Sequence, residues 1–251
     1  MRWPVLALAA AASLPALPAR AADTLRVVFR DTVTNVDPYF NQLRTGVVIS
    51  HQAWDGLVYR DPDTFEAKPL LATSWKLIDD STWEIKLRPN VKWSDGNAFV
   101  PEDVVDSLMW FINPDAKLTN AGNWEWIEKV EKTGANTVRL YNKRPTPHAL
   151  ARLTAGSDIW PAHVTTKLAD RKDFGRAPIG TGPYKLENWD RGNEMVFSVN
   201  ENYWGEAPIE PSVETNPFRL IVDRFAFSSS SSSPFSSSRK RSARSRNLGS
   251  M

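Results

Sequence analysis

The chain has 251 residues, 41% of them hydrophobic and 24% charged, which is enough apolar material for one or two packed domains and too much for wholesale disorder. With no cysteine, it is excluded from thiol catalysis, iron–sulfur ligation, Cys-based zinc sites and disulfides. The net charge of +2 hides an asymmetry: six basic and no acidic residues lie in 224–251, and setting these aside with Arg2 and Arg20 leaves 23 basic against 29 acidic residues, so the body is near −6 and a poor match for nucleic acid.

Residues 1–22 read as a secretory signal peptide. Arg2 gives a thin positive start, Val5 to Leu17 is apolar and alanine-rich, and Ala19-Arg20-Ala21 fits a small-x-small cleavage site, placing the cut near Ala21/Ala22. The apolar run is too short for a membrane span and is interrupted by prolines, and no cysteine follows it for a lipid anchor. The mature chain is therefore expected to be exported and soluble.

Thr24 to Arg30 is a β-branched and aromatic run that predicts a strand, leading into a polar loop closed by Pro38. From about Asn41 to Leu57, apolar residues approximate a helical stripe that Asp55-Gly56 can stop. Ser81 to Arg88 alternates Trp83, Ile85 and Leu87 with charged residues, the two-residue period of a half-buried strand, and Val91 to Trp93 is expected to pair back before a tight turn at Ser94-Asp95-Gly96. Pro101-Glu102-Asp103 opens a helix to about Phe111, whose cap position falls on Val100, a residue unable to cap, so the start leans on Pro101 and the two carboxylates. Glu125–Lys132 and Thr137–Tyr141 predict a strand pair about Gly134-Ala135-Asn136, and a helix is expected from about His148 to Ala155. The corner Ile179–Pro183 precedes a predicted hairpin, Tyr184–Trp189 and Met195–Val199.

Motifs for chemistry are sparse. The three histidines, His51, His148 and His163, share no i, i+3 or i+4 spacing, so no metal site is expected. The Gly180-Thr181-Gly182-Pro183 corner completes neither a dinucleotide fingerprint nor a P-loop. No G-x-S-x-G occurs, and acid pairs such as Asp79-Asp80 lie in turn-like stretches without sign of burial, so no catalytic residue and no cofactor are assigned and an extracytoplasmic hydrolase is a distant reading. Eleven tryptophans could line a carbohydrate or peptide cleft, or simply fill a core, the expectation for Trp83, with Trp204 packing a loop. After Asp223 the composition turns abruptly to serine and arginine, with Ser228–Ser233 unbroken, which predicts a disordered tail over 224–251 that a reading frame lost near residue 223 would explain. As a nuclear or RNA-binding signal, Arg239–Arg246 would conflict with a secretory leader.

Several stretches together resemble the extracytoplasmic solute-binding proteins of the dipeptide/oligopeptide/nickel class, family 5, that serve ABC importers. They are Gly56–Tyr59 with Pro69–Trp75, a signature strand over Ala72–Arg88, Lys92–Gly96 with Pro101–Leu108, Pro178–Tyr184, and Asn200–Gly205. The resemblance covers about Asp23 to Asp223 and implies an α/β, periplasmic-binding-protein-like fold of class II with an extra inserted subdomain, here amounting to most of lobe I. Lobe I would comprise 23–60 and 176–223, with 61–175 as the inserted α/β subdomain. The implied function is periplasmic capture of a small peptide or similar solute by a monomer that docks on an inner-membrane ABC permease, without catalysis. By position, the ligand-facing residues would be Asn41, Gln42, Leu43 and Arg44, with Tyr39 as a neighbour. The alternative is a fragment without ligand binding.

Overall fold

In a computed structural model of the chain, residues 24–29, 33, 35–40, 43–154, 156–191, 193–206 and 219–224 are described, Thr24 and residues 219–224 by backbone alone. The expected signal peptide of residues 1–22, Asn41 and Gln42, and the tail from residue 225 lie outside the described residues.

Two four-stranded sheets carry the fold. The first has the order β1-β10-β9-β8. It joins β1 (Thr24–Phe29) in parallel to β10 (Arg219–Arg224), then continues antiparallel through β9 (Glu194–Val199) to β8 (Tyr184–Asp190). The second is antiparallel, β4-β5-β7-β6, formed by β4 (Ala72–Asp79), β5 (Thr82–Leu87), β6 (Ile127–Gly134) and β7 (Thr137–Asn142). A short ribbon of β2 (Val58–Arg60) and β3 (Ala67–Pro69) lies between them in sequence.

The strands follow their side-chain pattern. On β7, Val138, Leu140 and Asn142 are buried and their neighbours are not, the period of two that puts one face on a core. On β5, Ile85 and Leu87 are buried and Trp83 is half-buried, packed at the edge of the core. Ala72–Arg88, expected as one strand, is instead a hairpin, β4 turning at Asp80-Ser81 into β5. β4 occupies the sheet edge, with Leu77 and Ile78 exposed, so its sequence carries no alternation to reveal it.

The Val91–Trp93 segment does not pair back onto β5. Gly96, at φ 87°, closes the turn so that Val91 accepts the Phe99 N–H at 3.0 Å and Trp93 donates its N–H to Asn97 at 2.8 Å. Helix α2 (Pro101–Phe111) starts and stops where the sequence predicts, with no side-chain cap from Val100. Helix α1 (Arg44–Ala53) is shorter than predicted, because Trp54 turns to extended backbone and sends its indole N–H to the Ile179 carbonyl at 3.1 Å. Two short helices, α3 (Ala149–Leu153) and α4 (Ala162–Thr165), complete the chain.

An aromatic cluster joins Tyr39 and Trp54 to Phe111, Trp160 and Phe174. Tyr39, before α1, stacks on Phe111 of α2 at 3.9 Å between ring centroids and meets Trp160 edge-on at 5.3 Å. Phe174 touches both Trp160 at 5.6 Å and Trp54 at 5.9 Å. Each fully buried ring of this kind adds about 1.5–3 kcal/mol by leaving water, and offset or edge-on contacts add about 0.5–1.5 kcal/mol more.

Candidate functional site

The glycine corner fixes the end of α1. Gly182 donates its N–H to the Ala53 carbonyl at 3.0 Å, and a Cβ on Gly180 would overlap that same carbonyl oxygen. The corner thus exists for backbone approach to a helix C-terminus, and Thr181 adds a hydroxyl that accepts the Asp55 N–H at 3.3 Å.

Beyond the corner the chain runs from Asp55 to Val58 beside the 156–158 segment. Ser157 Oγ accepts the Leu57 N–H at 3.0 Å, and Gly56 bridges Asp158. This pairing walls a cavity of about 290 Å³ reached by His51, Asp55, Arg60 and Asp158. On the other side of Asp158 lies a second cavity of about 210 Å³, bounded by Tyr39, Val47, Asn120, Asn123 and again His51. His51, Gly156 and Asp158 border both cavities.

Four carboxylates near this region are buried: Asp37, Asp55, Asp103 and Asp158. The sequence pattern places Asp37 in the polar stretch before Pro38, Asp55 at a helix stop and Asp103 in the first turn of a helix, and none of these patterns marks burial. Desolvation pushes Asp37 up to about 8, against the Tyr39 N–H that its Oδ1 accepts at 2.9 Å and with the nearby Asp158 charge adding to the rise. Asp158 is raised to about 6 by burial, and His51 pulls in the opposite direction. Asp55 rises to about 7 for the same reason, opposed by hydrogen bonds from Trp204 and Thr181.

Of the predicted ligand-facing residues, Tyr39 alone among the described ones borders the smaller cavity. Tyr39 is 1% exposed, and its hydroxyl is shared between the carbonyls of Asp158 at 2.6 Å and Gly156 at 3.0 Å. Leu43 and Arg44 are exposed at the start of α1, and Leu43 accepts the N–H of the cavity residue Val47. Asn41 and Gln42 lie outside the described residues. No group of three or more His, Asp or Glu side chains is arranged to hold a metal ion among the described residues. No helix among them is long and apolar enough to cross a membrane.

This two-sheet α/β architecture, with a groove beside the first helix, is the periplasmic-binding-protein-like fold. Residues 66–227 match the family described as bacterial extracellular solute-binding proteins, family 5 Middle, and the chain belongs to that family. It is 29% identical over 225 residues to the glutathione-binding protein GsiB of Salmonella paratyphi A, covering 88% of this chain and 43% of that protein. It superposes on NikZ from Campylobacter jejuni, solved with Ni(L-His), with a TM-score of 0.68 and 28% identity over 80% of this chain and 39% of the other. The oligopeptide-binding protein AppA from Bacillus subtilis, solved with a nonapeptide, shares the fold at a TM-score of 0.70 and 22% identity over 80% of this chain and 40% of that one. The chain thus spans about two fifths of the length of these relatives.

Proposed function

We propose that the chain is the substrate-binding component of an ABC importer, taking oligopeptides or related small solutes in the periplasm and handing them to an inner-membrane permease. The observation that carries this reading is the pair of cavities meeting at Asp158, on a chain whose family comprises extracellular solute-binding proteins. Relatives named for glutathione, nickel–histidine and peptide complexes support a small polar solute as the cargo. Capture rather than turnover is the task, with the loop from Tyr39 through Asn41, Gln42, Leu43 and Arg44 as the rim that meets the solute. The leader is removed near Ala21/Ala22, and residues 23–60 with 176–223 form the lobe into which 61–175 is inserted. This division is supported by the first sheet drawing its strands from the flanks and the second drawing all of its strands from within the insertion.

A second reading, a fragment that binds nothing, is favoured by an open apolar cavity of about 220 Å³ where β1 faces α1, lined by Leu25, Val27, Phe29 and Val48. Leu25 and Val48 are 49% and 45% exposed there, an apolar face of the kind that drives association. Titration calorimetry of the purified chain with glutathione, with peptides of two to nine residues and with nickel–histidine separates the two. Saturable heat from a monomer supports the importer component; no heat from any of them, with concentration-dependent aggregation, assigns the fragment.

A further inference from the structure

We infer that Met109 is a modification site, where oxidation of the thioether to the sulfoxide undoes a contact that ties helix α2 to the edge of the second sheet. The chain has no cysteine, so its sulfur chemistry falls to four methionines, Met1, Met109, Met195 and Met251. Met1 and Met251 lie outside the described residues. Of the other two, Met195 is 4% exposed within the core on β9, whereas Met109 is 37% exposed on α2. Susceptibility of sulfur to oxidants rises with exposure, so among the described residues Met109 is the one that an oxidant reaches.

The exposed sulfur is also a structural acceptor. β6 is an edge strand of the sheet β4-β5-β7-β6, and an edge strand leaves backbone N–H groups with no neighbouring strand to receive them. Val130 of β6 donates its N–H to Met109 Sδ at 3.4 Å, so the thioether takes the place that a strand or a water would fill. Close by, Lys132 Nζ meets Glu102 Oε1 at 2.6 Å, another polar tie from β6 to α2, but an exposed ion pair of this kind holds weakly. A hydroperoxide, hydrogen peroxide in the simplest case, gives one oxygen to Sδ: the O–O bond breaks, the S–O bond forms with an electron pair from sulfur, and the rest of the peroxide leaves as water. A flexible apolar side chain becomes a polar, chiral one. An oxygen aimed at the Val130 N–H has no room within 3.4 Å unless the side chain backs away, and one aimed at solvent leaves that N–H without its acceptor. Either way the last turn of α2 parts from β6. Sulfoxide reduction by an external thiol is the class of reaction that reverses the step, since the chain has no thiol of its own.

The test treats the whole chain at neutral pH with graded hydrogen peroxide, reading each methionine by peptide mass spectrometry and each backbone amide by hydrogen exchange. Met109 should gain its oxygen faster than Met195 by about ten-fold or more. Exchange at Val130 should quicken about ten-fold on oxidation, while Val138 and Leu140 of β7 keep their rates. Methionine sulfoxide reductases of both stereospecificities, supplied with a dithiol, should return Val130 to its starting rate. Met109→Leu keeps the apolar bulk and removes the acceptor, so it should show the faster Val130 exchange without peroxide and no further change with it. The comparison of oxidised and untreated samples of the unaltered chain stands even where that variant fails to fold. Equal oxidation of Met109 and Met195 overturns the site. An oxidised Met109 with unchanged Val130 exchange, or a folded leucine variant that protects Val130 as well as methionine does, overturns the role of the sulfur.

Discussion

Trp204 donates its indole N–H to Asp55 Oδ2 at 2.8 Å across 149 positions of sequence, while the Arg88 guanidinium lies over the same ring at 4.1 Å from its centre. Arg88 in turn donates its Nε–H to the Leu70 carbonyl at 3.0 Å, so one aromatic ring ties the segment after β9 to the end of α1 and to the hairpin β4–β5. Removing the donor while keeping a ring isolates the hydrogen bond. Trp204→Phe should lower stability by about 2 kcal/mol, since it strips a buried carboxyl oxygen of its donor. Urea denaturation reads this directly, and a change below about 0.5 kcal/mol would place Asp55 in contact with water instead.

Burial sets the pH response. Asp37, Asp55 and Asp158 are raised to about 8, 7 and 6, so between roughly pH 4 and 8 the folded chain holds protons that the unfolded chain has released. Stability from these three is complete below the unfolded carboxylate range and is lost as pH climbs through 6, 7 and 8. The carboxylates held low by hydrogen bonds and ion pairs, such as Asp79, Asp95, Glu102 and Glu201, act with the opposite sign but do so below about pH 5. The melting temperature should therefore fall from pH 5.5 to pH 8, and Asp37→Asn should flatten that slope. A melting temperature that rises over this interval would falsify the assignment.

Much of this architecture is visible in the residues, and the rest is hidden for identifiable reasons. Pro101 with two acids marks α2, and the alternation of Val138 and Leu140 marks β7, because in both cases the local pattern and the tertiary environment agree. β4 escapes because an edge strand need not alternate, and β10 because its partners lie far away in sequence, in β1 and β9. Of the candidate site, the family resemblance points to the loop leading into α1, where Tyr39 borders the smaller cavity. The buried Asp158 is not legible, since nothing near Thr154 to Pro161 distinguishes a solvated aspartate from one enclosed beside Tyr39 and His51 of α1. Burial of a lone carboxylate is a property of the packed chain and leaves no periodic trace.

The glycine corner gives a pair of contrasting substitutions. Gly180→Ala drives a methyl group into the Ala53 carbonyl, backbone that cannot rotate aside, and should cost about 3 kcal/mol or more. Gly122→Ala meets nothing within 4 Å and should change stability by less than about 0.5 kcal/mol. Thermal unfolding of the two variants side by side checks both, and equal tolerance would mean that the corner does not pack on α1 in solution.

The start of α2 offers the sharpest test of how residues 93–162 hold together. Asp103 Oδ2 accepts the Val100 N–H at 2.9 Å and the Trp93 indole N–H at 3.1 Å, and Oδ1 accepts the Ala162 N–H at 2.9 Å. One carboxylate thus reaches back to the Val100 N–H, the reciprocal half of a capping box, and joins the 93–99 turn, α2 and α4. Burial raises its pKa despite these three donors, so desolvation outweighs the favourable contacts for the charge itself. Removing the group is nonetheless costly, because one buried and two partly buried donors then lose their acceptor. Asp103→Ala should destabilise by about 3–5 kcal/mol, while Asp103→Asn, which keeps one acceptor oxygen but turns an amide N–H₂ toward a donor, should cost about 2 kcal/mol. Hydrogen exchange supplies the local readout: protection at Val100 and Ala162 should collapse together in the alanine variant, and loss at only one of them would mean that the carboxylate serves a single element.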